Sequence, residues 1–230
     1  MAITERKKII FITGAGISAP SGIPTFRSDD GLWSKNPIDK VATADALKNN
    51  TKHVLEFWNK IRTEMFNVVP NDAHFAITRL QDKYDVTVIT QNIDDLHERA
   101  GNTNVIHLHG NINYARLLEE SIEWFEEPKS IFIGNADIPD NMRPDIVLFG
   151  EEVENFKDAK LLLKSDDIDK VIVVGTSLDV YPASSLVKLA PFDCDKHIID
   201  LNPPYVFGYK KHTGDAETIL PRLVNEWMNG

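Results

Sequence analysis

Residues 9–13 read Ile-Ile-Phe-Ile-Thr and run straight into Gly14-Ala15-Gly16. A strand apolar on both faces cannot border water on either side, so it calls for a sheet covered by helices above and below. Runs of the same kind recur at 86–90, 105–108, 145–149, 171–175 and 197–201. Several of the gaps between them are long enough for right-handed crossover helices. The expected class is therefore α/β, a doubly wound parallel sheet built from 1–30, 72–110 and 143–230. Two stretches break the rhythm. Residues 31–71 carry helical patterning at 44–49 and 53–66, and 111–142 is acidic and irregular; together these insertions are expected to form a smaller lobe. The apolar residues Ile219, Leu220, Leu223, Val224 and Trp227 have the spacing of a helix over 215–228 that docks on the sheet.

Composition narrows the partners. With 230 residues and 42% hydrophobic content, the chain can fill one substantial core and one appended lobe. Its longest apolar runs, at 9–12 and 171–174, are too short to span a bilayer, and its first residues lack a signal-peptide pattern, so a cytoplasmic location and no membrane are expected. A net charge of -10 argues against direct nucleic-acid binding. It mildly favours basic partners, although solubility is its ordinary role. A single cysteine, Cys194, permits neither a disulfide framework nor a four-cysteine metal site; it is read as a packing or surface thiol.

Gly14-Ala15-Gly16-Ile17-Ser18-Ala19 satisfies the dinucleotide pattern G-x-G-x-x-G/A after a strand, which makes the main sheet Rossmann-like. The glycines allow close backbone approach, and a helix starting there would aim N–H groups at a pyrophosphate. Alone, such a turn is as often a plain strand-to-helix connection. A dehydrogenase would continue into a second strand ending in an acidic residue about 20 positions on. Here Pro20-Ser21-Gly22-Ile23-Pro24 intervenes, which is loop chemistry. A loop beside a phosphate turn suits a lid, and hydride transfer recedes.

Residues 14–27, GAGISAPSGIPTFR, with Gly31-Leu32-Trp33, resemble the first signature of the sirtuins. Further signatures follow in family order. Thr90-Gln91-Asn92-Ile93-Asp94-Asp95-Leu96-His97 with Ala100-Gly101 is similar to TQNxDxLH. His109-Gly110 resembles the catalytic HG, and 143–151 resembles RPxxVxFGE. Gly175-Thr176-Ser177-Leu178 with Pro182-Ala183 resembles GTSLxVxPA, and Gly214-Asp215-Ala216 with Leu220-Pro221 resembles the C-terminal element. Only 111–142 lacks a counterpart.

The resemblance implies an enzyme that consumes NAD+, removes an acyl group from lysine in a peptide or protein, passes it to ADP-ribose and releases nicotinamide. It implies catalytic roles for His109, Asn92 and Asp94. His109 would be the general base, since an imidazole of pKa ~6.5 accepts a hydroxyl proton at neutral pH. Asn92 would hold the ribose side of the pocket and Asp94 the carboxamide. Cofactor contacts are implied for Gly14, Ala15, Gly16, Ser18, Gln91, Gly175, Thr176, Ser177, Asn202, Asp215 and Ala216, with Phe26 and Arg27 as the lid. Ile146, Val147, Phe149, Gly150 and Glu151 would line the substrate cleft, with exposed backbone edges for strand addition. The residue types alone leave other roles open. Asn and Asp after a strand commonly form turns, Ser and Thr at turns commonly cap helices, and Phe26 is equally a core aromatic. His107 shares a face with His109 in an extended strand, so periodicity does not choose between them; motif position selects His109 and makes His107 structural.

Three departures stand out. Sirtuins typically bind a structural zinc through two Cys-x-x-Cys pairs, whereas nothing between Gly110 and Arg143 is cysteine or histidine. The carboxylates Glu119, Glu120, Glu123, Glu126 and Glu127 are poor substitutes, so no zinc is expected. They are read as a solvated helix face opposite Leu117, Leu118, Ile122 and Phe125, with Trp124, Phe125, Ile131 and Phe132 packing the lobe. Second, the Tyr-x-x-Arg of succinyl-preferring sirtuins is matched by Trp58-Asn59-Lys60-Ile61, with Arg62 one position further on; a neutral acyl group is expected. Third, Val153-Glu154 stands where leucine-proline often follows. NAD glycohydrolysis or ADP-ribosyl transfer is the competing chemistry.

Overall fold

A computed structural model describes residues 6–25, 31–118 and 130–229. Six strands form the main sheet: β1 Lys8–Thr13, β2 Asp85–Thr90, β3 Val105–His107, β7 Ile168–Val174, β8 Asp195–Asp200 and β9 Lys210–Thr213. Every pairing is parallel, in the order β3-β2-β1-β7-β8-β9. This is a Rossmann-type order with its switch point between β1 and β7, where ligands of such sheets bind.

Alternate side chains of the central strands feed two cores. Ile9, Phe11, Val88, Ile172 and Val174 pack beneath helices α5 Asp72–Leu80 and α8 Ala216–Asn229. Ile10, Ile12, Ile89, Val171 and Val173 face α7 Phe156–Leu162 and the 3-10 segment Ala183–Leu189. The two-sided apolar pattern is thus satisfied by helical layers on both faces. Asn71 caps α5 by accepting from Ala73 N–H at 3.0 Å.

The second lobe combines short helices α1 Leu32–Lys35, α2 Ile38–Val41 and α3 Ala44–Asn49 with α4 Thr51–Phe66 and a three-stranded sheet, β5-β4-β6. Its strands are β4 Gly110–Leu117, β5 Ile131–Phe132 and β6 Met142–Ile146, all antiparallel. Val41, Trp58, Ile61, Ile112, Ile146 and Leu148 share one cluster. One further helix, α6 Leu96–Arg99, follows β2.

Several sequence expectations need correction. Of the strand expected at 145–149 only 145–146 is strand, the end of β6 in the small sheet, because Pro144 suits an edge strand and not the centre of a parallel sheet. Residues 110–117 are a strand, not irregular chain, so Leu117 and Leu118 do not open a helix. Ile131 and Phe132 are 41% and 62% exposed and stand at the edge of the lobe, where Phe132 meets the Tyr114 ring edge-on at 5.3 Å. After the glycine turn there is no α-helix; 3-10 turns Ala15–Ile17 and Ala19–Ser21 take its place, ended by Gly22 at φ 98°. Phe26, Arg27, Glu119, Glu120, Ile122, Glu123, Trp124, Phe125, Glu126 and Glu127 lie outside the described residues.

Candidate active site

The turn after β1 and the turn after β7 cross at the switch point with almost no space between them. A Cβ on Gly16 would sit 2.6 Å from Gly175 Cα, and one on Gly175, at φ +64°, would sit 2.4 Å from Ile17 N. Only glycine fits there. Within the first turn Gly14, Gly16, Ile17 and Ser18 N–H are all committed to nearby carbonyls. Ala15 N–H remains available to an anion.

A cavity of about 710 Å³ opens over this crossing and runs toward the small lobe. It gathers most of the residues selected from sequence: Gly14, Ala15, Gly16, Gln91, Asn92 and His109 at one wall; Gly175, Thr176, Ser177, Asp215 and Ala216 at another. Ile146, Val147, Phe149, Gly150 and Glu151 line its far side. Gln91 donates to Thr176 Oγ1 at 3.1 Å, which ties the β2 loop to the β7 turn.

Beneath that floor lies a fully buried knot. Ser18 Oγ donates to Asp94 Oδ2 and accepts from Asn92 Nδ2, both at 3.0 Å, while Leu96 N–H donates to Asp94 Oδ1 at 3.1 Å. Ser18 is therefore spent on Asn92 and Asp94 instead of reaching a phosphate, because the 3-10 turn swings its side chain inward. Asn92 Oδ1 is buried and has no hydrogen-bond partner among the described residues. Burial pushes the Asp94 carboxyl up to about 6, opposed by the Leu96 and Ser18 hydrogen bonds.

His109 Nδ1–H donates to Gln91 O at 2.9 Å, which fixes the tautomer and leaves Nε2 as an acceptor. Burial holds this imidazole below its ordinary pKa, with the Gln91 carbonyl pulling the other way. Its neighbour Gly110, at φ +77°, packs onto Asp145 O, so His109 is pinned where β3 passes into β4.

The segment after β6 is braced rather than free. Val147 N–H donates to His109 O at 2.9 Å, and Phe149 N–H to Ala42 O at 2.9 Å. Glu151 accepts from Arg143 Nη2 at 3.0 Å, Arg116 Nη2 at 3.2 Å and Leu148 N–H at 2.8 Å. The amides of Val147, Leu148 and Phe149 are thus already engaged, which limits strand addition to other groups of the segment. Asn202 stays outside the cavity lining, its N–H held by Asp200 Oδ1 at 2.8 Å, while Asp200 and Leu201 reach the cavity instead.

The sequence marks Trp58 at the acyl-selecting position but not the chamber the lobe builds around it. Trp33, Ala42, Trp58, Ile93 and Leu148 form an apolar chamber at the end of the cavity. Trp33 lies edge-on to Trp58 and Phe149 with centroids 6.3 and 6.5 Å apart, and Trp58 donates its indole N–H to Val41 O at 2.7 Å. Arg62 turns away, donating to Gly134 O. No lysine or arginine among the described residues lines the cavity.

A parallel sheet of this order, a glycine crossing at its switch point and a second lobe closing the cavity define a two-lobed dinucleotide-binding α/β protein. More narrowly, the chain belongs to the Sir2 family, whose model matches residues 14–182. It is 45% identical over 202 residues to the NAD-dependent protein deacylase of Aggregatibacter actinomycetemcomitans, covering 84% of this chain and 93% of that protein. To the NAD-dependent protein deacylase of Pasteurella multocida it is 37% identical over 243 residues, covering 98% and 100%. Among solved structures, it is similar to a Sir2 homologue–NAD complex at TM-score 0.80 and 33% identity, covering 98% of this chain and 91% of that one. A Sir2–p53 peptide–NAD+ complex matches at TM-score 0.76 and 30% identity, covering 98% and 95%.

Proposed function

We propose that the chain is an NAD-dependent protein lysine deacylase, transferring a neutral acyl group from lysine to ADP-ribose and releasing nicotinamide. The observation that carries this reading is one cavity joining a glycine crossing, the Asn92–Asp94 knot with His109, and an apolar chamber. The residues fit the dinucleotide. The crossing of Gly16 and Gly175 admits backbone approach, and the buried, unpartnered Asn92 Oδ1 suits a ligand donor.

Ala15 N–H, Thr176 and Ser177 would hold the phosphates, with Asp215 and Ala216 toward the adenosine end. Asn92 would face the nicotinamide ribose, and Asp94 has lone pairs left for a carboxamide N–H. Bound NAD+ supplies a ribose carbon activated by a leaving nicotinamide. His109 Nε2 would take a proton from a ribose hydroxyl, its orientation kept by Gln91 O. Val147 and the aromatic chamber would seat the acyl-lysine and keep water from the reacting end.

The chamber sets the acyl class. Its walls are apolar, the Trp58 indole N–H is used by Val41 O, and Arg62 is occupied at Gly134. A distal carboxylate there would lack a cationic partner, at a cost of several kcal/mol. With NAD+ and matched peptides, kcat/KM for acetyl-, butyryl- or hexanoyl-lysine is expected to exceed that for succinyl-lysine by about tenfold or more. A preference for succinyl-lysine would contradict this assignment.

The small lobe has non-metal anchors. Arg62 ties α4 to Gly134, and Ile133 and Gly134 N–H both donate to Asn113 O, at 2.9 and 3.0 Å. Elemental analysis of protein purified without chelator is accordingly expected to find no stoichiometric zinc. One zinc per chain would refute that expectation.

A further inference from the structure

Two consecutive carbonyls of the loop after β2 are clasped by two histidines, one ending β3 and one just beyond it. His109 Nδ1–H holds Gln91 O at 2.9 Å, and His107 Nδ1–H holds Asn92 O at 3.1 Å. The second ring goes further, because its Nε2 lies 2.7 Å from Glu98 Oε1 on α6. A carbonyl and a carboxylate both only accept, so the ring makes both bonds by carrying both protons. Among the described residues no other hydrogen bond reaches Asn92 O, and Asn92 N–H is turned the other way to Thr90 Oγ1 at 3.0 Å.

We infer that His107, backed by Glu98, is the positioning residue of the nicotinamide end of the site, holding the Asn92–Asp94 loop in its binding conformation as an imidazolium. The inference rests on the proposed reading for what the loop binds. Glu98–His107–Asn92 forms a chain of charge-assisted hydrogen bonds like those that orient catalytic histidines, here aimed at a main-chain carbonyl. The His107 backbone is itself fixed, since its carbonyl accepts from Asn155 Nδ2 at 2.8 Å. Other groups facing the ring are Asp94 in the loop, buried His97 on α6 and Asn111 at the start of β4, whose Nδ2 is 3.5 Å away. Burial alone would lower the His107 pKa, but Glu98, the Asn92 carbonyl and Asp94 outweigh it and leave it above the ordinary value. The positive ring also lowers the Asp94 pKa, so it favours the carboxylate that a carboxamide needs.

The test compares calorimetric Kd values for NAD+ and ADP-ribose in wild type, His107→Gln and Glu98→Gln, in the presence of an acyl-lysine peptide. ADP-ribose lacks nicotinamide and serves as the control for a folded dinucleotide site. His107→Gln is expected to weaken NAD+ by about tenfold, the loss of one charged hydrogen bond, while ADP-ribose, which keeps the ribose assigned to Asn92 but lacks the carboxamide, is weakened distinctly less. In wild type the preference for NAD+ should decline as pH rises through the titration of His107, which lies above the ordinary imidazole value. Glu98→Gln should move that decline to lower pH, and His107→Gln should remove it. An unchanged NAD+ to ADP-ribose ratio in His107→Gln, or the same decline with pH, would overturn the inference. So would equal loss of ADP-ribose binding in both variants. A wild type that binds as expected but transfers no acyl group would refute the deacylase reading and leave this one standing.

Discussion

Replacing His109 with alanine is expected to lower peptide-dependent acyl transfer by about 10²–10⁴-fold, the usual contribution of a positioned general base. The ring is half-buried at the cavity wall, and its one protein hydrogen bond is to Gln91 O. Its removal leaves no buried acceptor other than a carbonyl that can be rehydrated at the cavity, so the fold should survive. Burial keeps the imidazole below its ordinary pKa, so it is neutral and able to accept a proton across the neutral range. Steady-state kinetics should find kcat lost with ADP-ribose affinity retained. Activity within about tenfold of wild type would remove His109 from the chemistry.

Asp94→Asn should separate stability from function. The Asp94 carboxyl is buried at the Ser18–Asn92 knot and is raised from 3.8 to about 6. A folded-state pKa above the unfolded one means a stability contribution fully present below about 3.8 and lost as pH rises through about 6. At pH 7 the folded protein therefore bears on the order of 3 kcal/mol for keeping this carboxylate ionised. Asparagine removes that burden and retains an acceptor for Leu96 N–H, so the variant should melt several degrees higher at pH 7 and lose its advantage near pH 4. Catalysis should fall by about two orders of magnitude, because an amide oxygen is a weaker acceptor for the carboxamide N–H than a carboxylate. Wild-type activity should also decline as pH drops through about 6. Thermal melts and initial rates on the same variant decide the matter: a lower melting temperature at pH 7 would contradict the account.

The main sheet was legible because β1, β2, β7 and β8 are apolar on both faces, a pattern that few folds other than a covered parallel sheet accommodate. Lys210-Lys211-His212-Thr213 was not, since β9 is an edge strand with mostly exposed polar side chains. Pro144 carried an unread signal: a proline inside a run of strand character points to an edge, and β6 is the edge of the small sheet. At the site, Asn92 and His109, selected from ordered motifs, both line the cavity, and Asp94 lies buried behind them at Ser18. Ser18 was named as a cofactor contact from the resemblance, and its inward hydrogen bond to Asp94 was not legible because Pro20 and Gly22 shape short turns that bury its hydroxyl. Trp58 was marked at the acyl-selecting position and Trp33 in the first signature, but their meeting with Ala42 in one chamber was not legible, because which face of a lobe helix meets the cavity depends on docking, not on local periodicity.

The central claim is that bound dinucleotide and acyl-lysine react together in this cavity. Mass spectrometry of a reaction of the protein, NAD+ and an acyl-lysine peptide follows nicotinamide, ADP-ribose and acyl-ADP-ribose at once. The account predicts that nicotinamide release depends on the acylated peptide and is matched one for one by acyl-ADP-ribose and free lysine peptide. Rapid ADP-ribose formation without peptide, as for a glycohydrolase, or ADP-ribose attached to another acceptor, would contradict it.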